Sequence, residues 1–304
     1  MATRQAAFSD VLNREQDGGE PPEDDEDVDY LENEYVTEEG STINTRINED
    51  GVEEEQCPSC GNWYQRVSIH WSKSSCDHPP ISQRKYEMAI GLMMGDGSVT
   101  KGKSNKNYRL RVKNTNITFL QWLQNEFEWL SGSICNVETA KEVADHLNKT
   151  GVNDEYRDSN PEDCYDVYEL FLRGHPVFNK LRQWYKEDGL VFQEVAYTPT
   201  ILRVWYVSDG GIDKQDMTTE FGSANESDRP EVIENGFANI GIDISNGDGG
   251  KHFRIYTNTD KFFDYIGHDP VPGFEYKWEY EDREQYERLK EQCDRKHKTQ
   301  TLEG

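Results

Sequence analysis

Two aspartates at the ends of apolar segments are the residues best suited to bind metal. Asp96 closes the segment AIGLMMGDG, and Asp209 closes the segment LRVWYVSDG. Either one alone could simply mark a helix end followed by a turn. Gly91 and Gly95 lie on one helical face, however, and would let a second helix approach closely. If the two apolar helices pack together, the carboxylates lie side by side, where divalent cations could bind between them and support phosphodiester hydrolysis.

A second candidate metal site is a compact cluster of cysteine and histidine. The segment CPSCG has the proline and glycine that let a tight turn direct two thiolates towards one ion. The candidate zinc ligands are Cys57, Cys60, His70 and Cys76, with His78 as an alternative fourth ligand. This spacing predicts a small structural zinc module, and the alternative is a pair of reduced thiols without metal.

The segments around the two aspartates repeat in the same order. YRLRVKN alternates like a half-buried strand, ITFLQWLQNEFEWL has helical spacing, CYDVYELFLRG is predicted as a strand and HPVFNKLRQWY as a helix. The order restarts with the helix TPTILRVWYVSDGGI, followed by the predicted strands FANIGIDIS and HFRIYTN and the helix TDKFFDYIG. The pattern predicts an α+β fold with an internal duplication.

Positive charge is concentrated around the first predicted strand. Residues 82–120 hold eight Lys or Arg against two acidic residues, in a chain whose net charge is -26. A basic strand face is typical of a solvated surface, but beside two metal-binding carboxylates it favours duplex DNA as the partner. The candidate DNA-binding residues are Lys101, Lys103, Lys106, Arg109, Arg111, Lys113 and, on a later strand, Arg254.

The remaining composition is strongly acidic. Residues 1–56 hold 19 Asp or Glu and three Arg, and this block of one charge predicts a disordered acidic tail. The acidity also suits a cytoplasm at molar salt, where the Debye length falls to about 3 Å, so a halophilic protein is a hypothesis.

No apolar run approaches the ~18 residues of a membrane span, and the first residues lack an apolar signal region. A soluble cytoplasmic protein is therefore expected.

Taken as an ordered set, these segments resemble the single-chain, two-motif form of the LAGLIDADG homing endonucleases. AIGLMMGDG and LRVWYVSDG are similar to the two family motifs, although Val204 stands in the second where Gly91 stands in the first. The elements that flank the family motifs resemble RLRVKNTNITFLQWL and HPVFNKLRQWY. The family's Thr-Pro lead-in resembles TPTILRVWYVSDGG, and its late Tyr-Lys segment resembles PGFEYKWE.

The resemblance implies two pseudo-symmetric αββαββα repeats that form a saddle on duplex DNA. Asp96 and Asp209 would bind Mg²⁺, one ion for each DNA strand, in a monomeric, site-specific double-strand endonuclease of a mobile element. Lys277 would be a catalytic lysine, and Lys186, in YKEDGLVFQE, is an approximate match to the corresponding lysine of the first half.

The predicted domains are a tail, a zinc-finger-like module, the endonuclease domain and a charged C-terminal helix or tail. Their bounds are 1–56, 57–81, 82–280 and 281–304, with the repeats at about 82–180 and about 181–280.

A non-cleaving alternative on the same fold is a DNA-binding regulator or an RNA maturase. Asp96 and Asp209 favour the nuclease, because a protein that only binds nucleic acid needs neither carboxylate, whereas the approximate match at Lys186 leaves the alternative open.

Overall fold

The computed structural model describes residues 32–102, 105–150, 160–186, 189–190, 195–213, 215–222, 229–247 and 252–303. For residues 185–186, 189–190 and 297–303, only the backbone is described. Lys103 and residues 1–31 of the predicted acidic tail lie outside the described residues.

A small module of short strands and one helix comes first. Strand β1 (Val36–Thr37) pairs in parallel with β5 (Ile81–Ser82). Between them, a three-stranded antiparallel sheet is followed by one helix: β2 (Thr45–Ile47), β3 (Glu53–Gln56), β4 (Trp63–Tyr64) and α1 (Val67–Lys73).

Residues 32–56 therefore form defined structure, although their charge predicted disorder. The backbone N–H of Ile81 donates to the carbonyl oxygen of Tyr35 at 2.9 Å, and the Tyr35 side chain packs against the main hydrophobic core. Glu55 forms an ion pair with Arg173 of the following domain at 2.6 Å. Burial of Tyr35 and the Glu55–Arg173 ion pair offset the charge repulsion within this acidic segment. Their partners are distant in sequence, so the local composition does not reveal them.

Two repeats follow, with the same element order apart from one added helix in the first. The first contains α2 (Gln83–Met93), β6 (Gly97–Thr100), β7 (Arg109–Asn114), α3 (Ile117–Phe127), β8 (Ser131–Glu138), α4 (Ala140–Thr150), β9 (Val167–Leu172) and α5 (Val177–Leu181). A short hairpin connects the repeats through β10 (Tyr185–Lys186) and β11 (Gly189–Leu190). The second contains α6 (Pro199–Asp209), β12 (Gly210–Ile212), β13 (Thr219–Gly222), α7 (Pro230–Asn239), β14 (Ser245–Gly247), β15 (His252–Ile255) and α8 (Thr259–Ile266). The described chain ends with α9 (Arg283–Glu303).

The predicted pair of αββαββα repeats is confirmed, with α4 as an addition to the first repeat. The two antiparallel sheets have matching strand orders, β6-β7-β9-β8 and β12-β13-β15-β14. Alternate strand residues such as Val112 and Phe221 are buried in a hydrophobic core that both repeats share. The intervening residues, such as Arg111 and Glu220, lie on the opposite, outer face of each sheet. None of the described helices combines the length and apolar character required to cross a membrane.

The segment FANIGIDIS is not the strand that its alternation predicted. Helix α7 begins at Pro230, in the first helical turn where proline is well tolerated, and buries Val232, Ile233 and Phe237 on one face. The helix therefore takes the first residues of the segment. A glycine at 241 with a φ of +70° follows the helix, and strand β14 begins only at Ser245.

Helices α2 and α6 pack against each other through two glycines. A Cβ atom added to Gly91 would lie 2.6 Å from the carbonyl oxygen of Ile201 and 2.9 Å from Cβ of Val204. A Cβ atom added to Gly95 would overlap Cβ of Ser208. Only glycine permits this approach, and Val204 is accommodated because it faces Gly91 across the contact.

We expect Gly95→Ala and Gly91→Ala to destabilise the protein by about 1–3 kcal/mol each, because the added methyl group overpacks the helix contact. At Gly91 the gain in helix propensity, about 1 kcal/mol, offsets part of this loss. Gly211→Ala is the matched control, since a Cβ atom there meets no atom within 4 Å. Denaturant unfolding measures all three variants. Equal stability of Gly95→Ala and Gly211→Ala would contradict the tight contact.

Candidate active site and metal cluster

The helix contact brings the two candidate metal-binding aspartates to one place. Helix α2 ends at Met93, so Asp96 lies in the turn that leads into β6, whereas Asp209 is the last residue of α6. A Cβ atom on Gly95 would lie 3.7 Å from Oδ2 of Asp209, which puts the backbone of the first motif beside the carboxylate of the second. Both aspartates are partly exposed and can reach a ligand from solvent.

Asp96 is held by Asn114, the last residue of β7. Nδ2 of Asn114 donates to Oδ2 of Asp96 at 2.7 Å. Burial raises the pKa of Asp96 to about 6, although the Asn114 hydrogen bond and the charge of Lys277 act in the opposite direction. The sequence reasoning missed Asn114. Asn114 continues the alternation of Leu110 and Val112, so the pattern puts a polar residue at a position that faces the core. That mismatch is the signal in the sequence that could have identified it.

Lys277 lies buried beside both carboxylates, with a side chain that is 3% exposed. Its Nζ donates to the carbonyl oxygens of Val207 at 2.6 Å and Gly210 at 2.7 Å, at the C-terminal end of α6. Burial lowers the pKa of Lys277 to about 8, against the opposing effect of Asp96 and Asp209. The lysine therefore both satisfies helix-end carbonyls and places a titratable cation at the base of the site.

A short chain of hydrogen bonds links the loop before Lys277 to Asp96. The carbonyl oxygen of Gly273 accepts from Nδ2 of Asn116 at 2.6 Å, and the Asn116 backbone N–H donates to Oδ1 of Asn114 at 2.8 Å. Gly273 has a φ of +89°, and a Cβ atom there would clash with the Asn116 side chain. The second repeat thus fixes the residue that orients the aspartate of the first.

Comparison with known families identifies this arrangement. A family model described as the LAGLIDADG DNA endonuclease family matches residues 86–263, which is more than half of the chain. The chain belongs to the LAGLIDADG DNA endonuclease family. No sequence among the curated proteins matches it.

Three solved structures similar to this LAGLIDADG chain share 17% or less of their residues with it. The homing endonuclease I-WcaI bound to its DNA recognition sequence has a TM-score of 0.49, covering 64% of this chain and 85% of that chain, at 17% identity. I-DmoI in complex with DNA and Mn has a TM-score of 0.34, covering 60% and 96%, at 17% identity. The LAGLIDADG homing endonuclease I-GzeII in complex with DNA target has a TM-score of 0.33, covering 69% and 91%, at 12% identity.

The second candidate catalytic lysine of this LAGLIDADG protein, Lys186, is described only by its backbone. That backbone belongs to β10, which pairs with β11 between the repeats. Its side chain lies outside the described residues, so the position of its ammonium group stays a prediction.

The candidate DNA-binding residues of the first repeat lie on the outer face of its sheet and in the preceding loop. On β7, Arg109, Arg111 and Lys113 alternate with buried residues and point away from the core. The Arg109 guanidinium lies 4.3 Å from the centre of the Phe171 ring, and Nε of Arg111 donates to Oγ of Ser98 at 2.8 Å. In the loop, Lys106 is exposed, and Nζ of Lys101 lies 5.2 Å from the Tyr108 ring.

In the second repeat, the candidate DNA-binding residue Arg254 lies on the outer face of β15. Its Nη2 lies 3.0 Å from Oδ2 of Asp213 and 3.5 Å from Oε2 of Glu220. On the second sheet of this LAGLIDADG fold, the candidate DNA-binding arginine is thus paired with two acids.

The Cys/His cluster of the N-terminal module has a geometry that fits one metal ion. The candidate ligand atoms of Cys57, Cys60, His70 and Cys76 all lie within 4.8 Å of one another. Sγ of Cys60 is 3.6 Å from Nε2 of His70, and the backbone N–H of Asn62 is the main cause that lowers the pKa of the Cys60 thiol to about 6. Three thiols and an imidazole at such spacing match the donor set of structural zinc.

His78, the alternative fourth ligand, lies outside this cluster. It is buried at the junction between the module and the first repeat, where its Nε2 lies 3.3 Å from Nδ2 of Asn107. Burial lowers the pKa of His78 to about 4. The same junction contains Trp71 and Trp129, whose ring centres are 5.7 Å apart, so the module is packed against the endonuclease domain.

Proposed function

We propose that the protein is a site-specific endonuclease that hydrolyses both strands of duplex DNA with divalent metal. The observation that carries the proposal is the meeting of Asp96 and Asp209, one from each repeat, beside the buried Lys277. A protein that only binds nucleic acid has no need for two adjacent carboxylates. Because a single chain supplies both aspartates, it can act as a monomer.

The donor set at the two aspartates suits Mg²⁺. Carboxylate oxygens are hard ligands of the kind this ion prefers, and each aspartate is partly exposed, which leaves room for water and phosphate oxygens. Burial raises the pKa of Asp96 to about 6, and a bound cation beside the carboxylate would favour its ionised form. Bound divalent cations would activate water and stabilise the leaving oxygen at this position.

The protein residues around the carboxylates have separate roles in this proposal. Asn114 fixes the orientation of the Asp96 carboxylate through its 2.7 Å hydrogen bond. Lys277 adds a cation that would stabilise the extra negative charge of the pentavalent phosphate or polarise the attacking water. Lys186 is proposed for the same role in the first half, on the basis of its sequence position alone.

Duplex DNA would lie on the outer faces of the two sheets. Lys101, Lys106, Arg109, Arg111 and Lys113 supply local positive charge within a chain of net charge -26. At molar salt the Debye length falls to about 3 Å, so these charges attract phosphate only at close range. DNA binding would then depend on direct contacts. A halophilic cytoplasm and a mobile-element origin remain hypotheses.

We also propose that Cys57, Cys60, His70 and Cys76 bind one structural Zn²⁺. The module has only a small core of its own, formed by Cys57, Val67 and Trp71. Small domains of this size usually need a metal or a disulfide for stability, and the cysteines that the structure describes form no disulfide.

The first test replaces each aspartate. Asp96→Asn and Asp209→Asn should each abolish metal-dependent double-strand cleavage, while DNA affinity stays equal or rises, since a negative charge facing phosphates is removed. Cleavage assays and binding titrations on a duplex chosen by selection measure the two effects. Asp145→Asn, at an exposed position of α4, is the matched charge control. Wild-type cleavage by both site variants would remove the nuclease assignment.

The second test replaces Lys277. Lys277→Met should lower the single-turnover cleavage rate by at least ~100-fold and change DNA affinity by less than ~3-fold, because the charge acts mainly in the transition state. The carbonyls of Val207 and Gly210 also lose their donor, so thermal unfolding is measured in parallel. Lys290→Met, which removes a cation from the same region near Tyr276, is the control. If Lys277→Met cuts both strands at the wild-type rate, its catalytic role is wrong.

The third test concerns zinc. Elemental analysis of freshly purified protein should find about one zinc per chain, and the double variant Cys57→Ser, Cys60→Ser should have lost it. Cys135→Ser is the matched control, since Cys135 is exposed and lies outside the cluster. Wild-type protein without zinc would refute the site.

A further inference from the structure

The turn that carries Lys277 is contacted on two sides. Residues Glu275–Trp278 form a short 3₁₀ turn. On the buried side, the Lys277 ammonium group donates to two carbonyl oxygens at the end of α6. On the partly exposed side, the two preceding residues, Glu275 and Tyr276, contact the C-terminal helix α9. Of the elements that the structure describes, this turn is the one that α9 packs against most extensively.

Tyr286 lies in the first turn of α9 and packs against Tyr276. The two ring centres are 5.6 Å apart, and the ring planes meet at 81°. Aromatic side chains prefer this edge-to-face arrangement, so it favours one orientation of each ring. Tyr286 is 4% exposed and belongs to the hydrophobic core that both repeats share, which makes it a fixed partner. Its contact therefore restricts where Tyr276 can lie.

Cys293 lies two turns further along the same face of α9 and contacts Glu275. Its Sγ donates to Oε2 of Glu275 at 3.4 Å. The thiol is buried, and burial raises the pKa of Cys293 to about 11, so the group keeps the proton that it donates. A thiol is a weak donor, but its acceptor here is a carboxylate. Helix α9 thus holds both residues that precede Lys277.

The tyrosine contact continues to the ammonium group through Phe274. The ring centres of Tyr276 and Phe274 are 6.2 Å apart, and Nζ of Lys277 lies 4.7 Å from the centre of the Phe274 ring. A cation over an aromatic face is attracted by the ring. On the other side, the hydroxyl of Tyr206 in α6 donates to the Lys277 carbonyl oxygen at 2.6 Å. The lysine is therefore held between α6 and a row of rings that ends at α9.

A capped first turn fixes the start of α9 next to the lysine turn. Oδ1 of Asp282 accepts hydrogen bonds from the backbone N–H groups of Glu284 at 2.9 Å and Gln285 at 3.1 Å. Such a cap stabilises the first turn of a helix. The Asp282 N–H donates to Oε1 of Glu279, the residue after the lysine turn, at 3.0 Å. The direction in which α9 leaves the turn is thus set by local contacts.

The position of an ammonium group decides how well it stabilises a transition state, and a displacement of about 1 Å can cost about 100-fold in rate. We propose that α9 positions the ammonium group of Lys277, with Tyr286 and Cys293 as the positioning residues. These two residues act through the part of the turn that precedes the lysine. The inference rests on the proposed function, because it takes Lys277 as the cation at the reacting phosphate.

The first experiment compares cleavage rate with DNA affinity. Tyr286→Ala removes the ring that packs on Tyr276, so it should lower the single-turnover cleavage rate by about 10-fold and change DNA affinity by less than ~3-fold. Tyr286→Phe keeps the ring and should cut at the wild-type rate. Cys293→Ala removes the donor to Glu275 and should lower the rate by about 3- to 10-fold. Gln292→Ala, at an exposed position of α9, is the matched control and should behave as wild type.

The second experiment measures the accessibility of Lys277 without using cleavage. Lysine side chains are labelled by reductive methylation with formaldehyde and a borohydride, and each site is quantified by mass spectrometry. Lys277, which is 3% exposed in the wild type, should be labelled at least ~5-fold faster in Tyr286→Ala, because loss of the ring lets the turn open. Lys85 in α2, with a side chain that is 13% exposed, is the internal reference and should keep its wild-type labelling rate.

If the wild type cuts its site, a wild-type value in either measurement for Tyr286→Ala overturns the inference, and so does a Tyr286→Phe variant as slow as Tyr286→Ala. If the wild type does not cut, the nuclease assignment fails, and the labelling of Lys277 alone decides whether α9 positions it. Faster labelling of Lys85 in Tyr286→Ala would show a general loosening of the fold. The smaller change Cys293→Ala then decides in its place, by the same two measurements.

Discussion

The close approach of α2 and α6 at Gly91 and Gly95 is the contact on which the candidate site depends. Each helix ends at an aspartate motif, so the distance between the helix axes also sets the separation of the carboxylates. A side chain at either glycine would push the backbones apart and separate Asp96 from Asp209. The same contact joins the two halves of the hydrophobic core, so stability and the proposed metal binding rely on one packing interaction.

The loop that carries Lys277 shows a second coupling between the repeats. Its ammonium group satisfies carbonyls at the end of α6, and its preceding Gly273 receives a hydrogen bond from Asn116 of the first repeat. Asn116 in turn orients Asn114, which holds Asp96. Groups from both halves of the chain therefore fix the geometry around Asp96, as a site assembled at an interface requires.

The duplication preserved the buried faces of the sheets and diversified the outer ones. Val112 and Phe221 occupy equivalent, fully buried positions, and both are apolar because the core demands it. Arg111 and Glu220 occupy equivalent outer positions, and their charges are opposite. The core constrains residue type through packing, whereas an outer face is constrained only by what it contacts. This freedom lets two copies of one fold present surfaces of unlike charge.

Local periodicity and spacing in the sequence predicted the strand β7, the helices at both motifs and the Cys/His cluster, and the resemblance to the family implied the repeated αββαββα order. Local pattern failed where a distant partner decided the outcome. The charge of residues 32–56 predicted disorder, but an ion pair with Arg173 and the packing of Tyr35 hold this segment in a defined structure. The segment FANIGIDIS alternates like a strand, but its first residues complete α7.

Only the tertiary structure decided which groups surround the carboxylates. Asn114 and Asp96 are brought together by the pairing of β6 with β7, and Lys277 reaches α6 from 67 to 70 residues further along the chain. Those contacts depend on how elements pack, which periodicity does not encode. A side chain's chemistry can be read from its type, but its pKa and its partners come from the burial and charges that folding places around it.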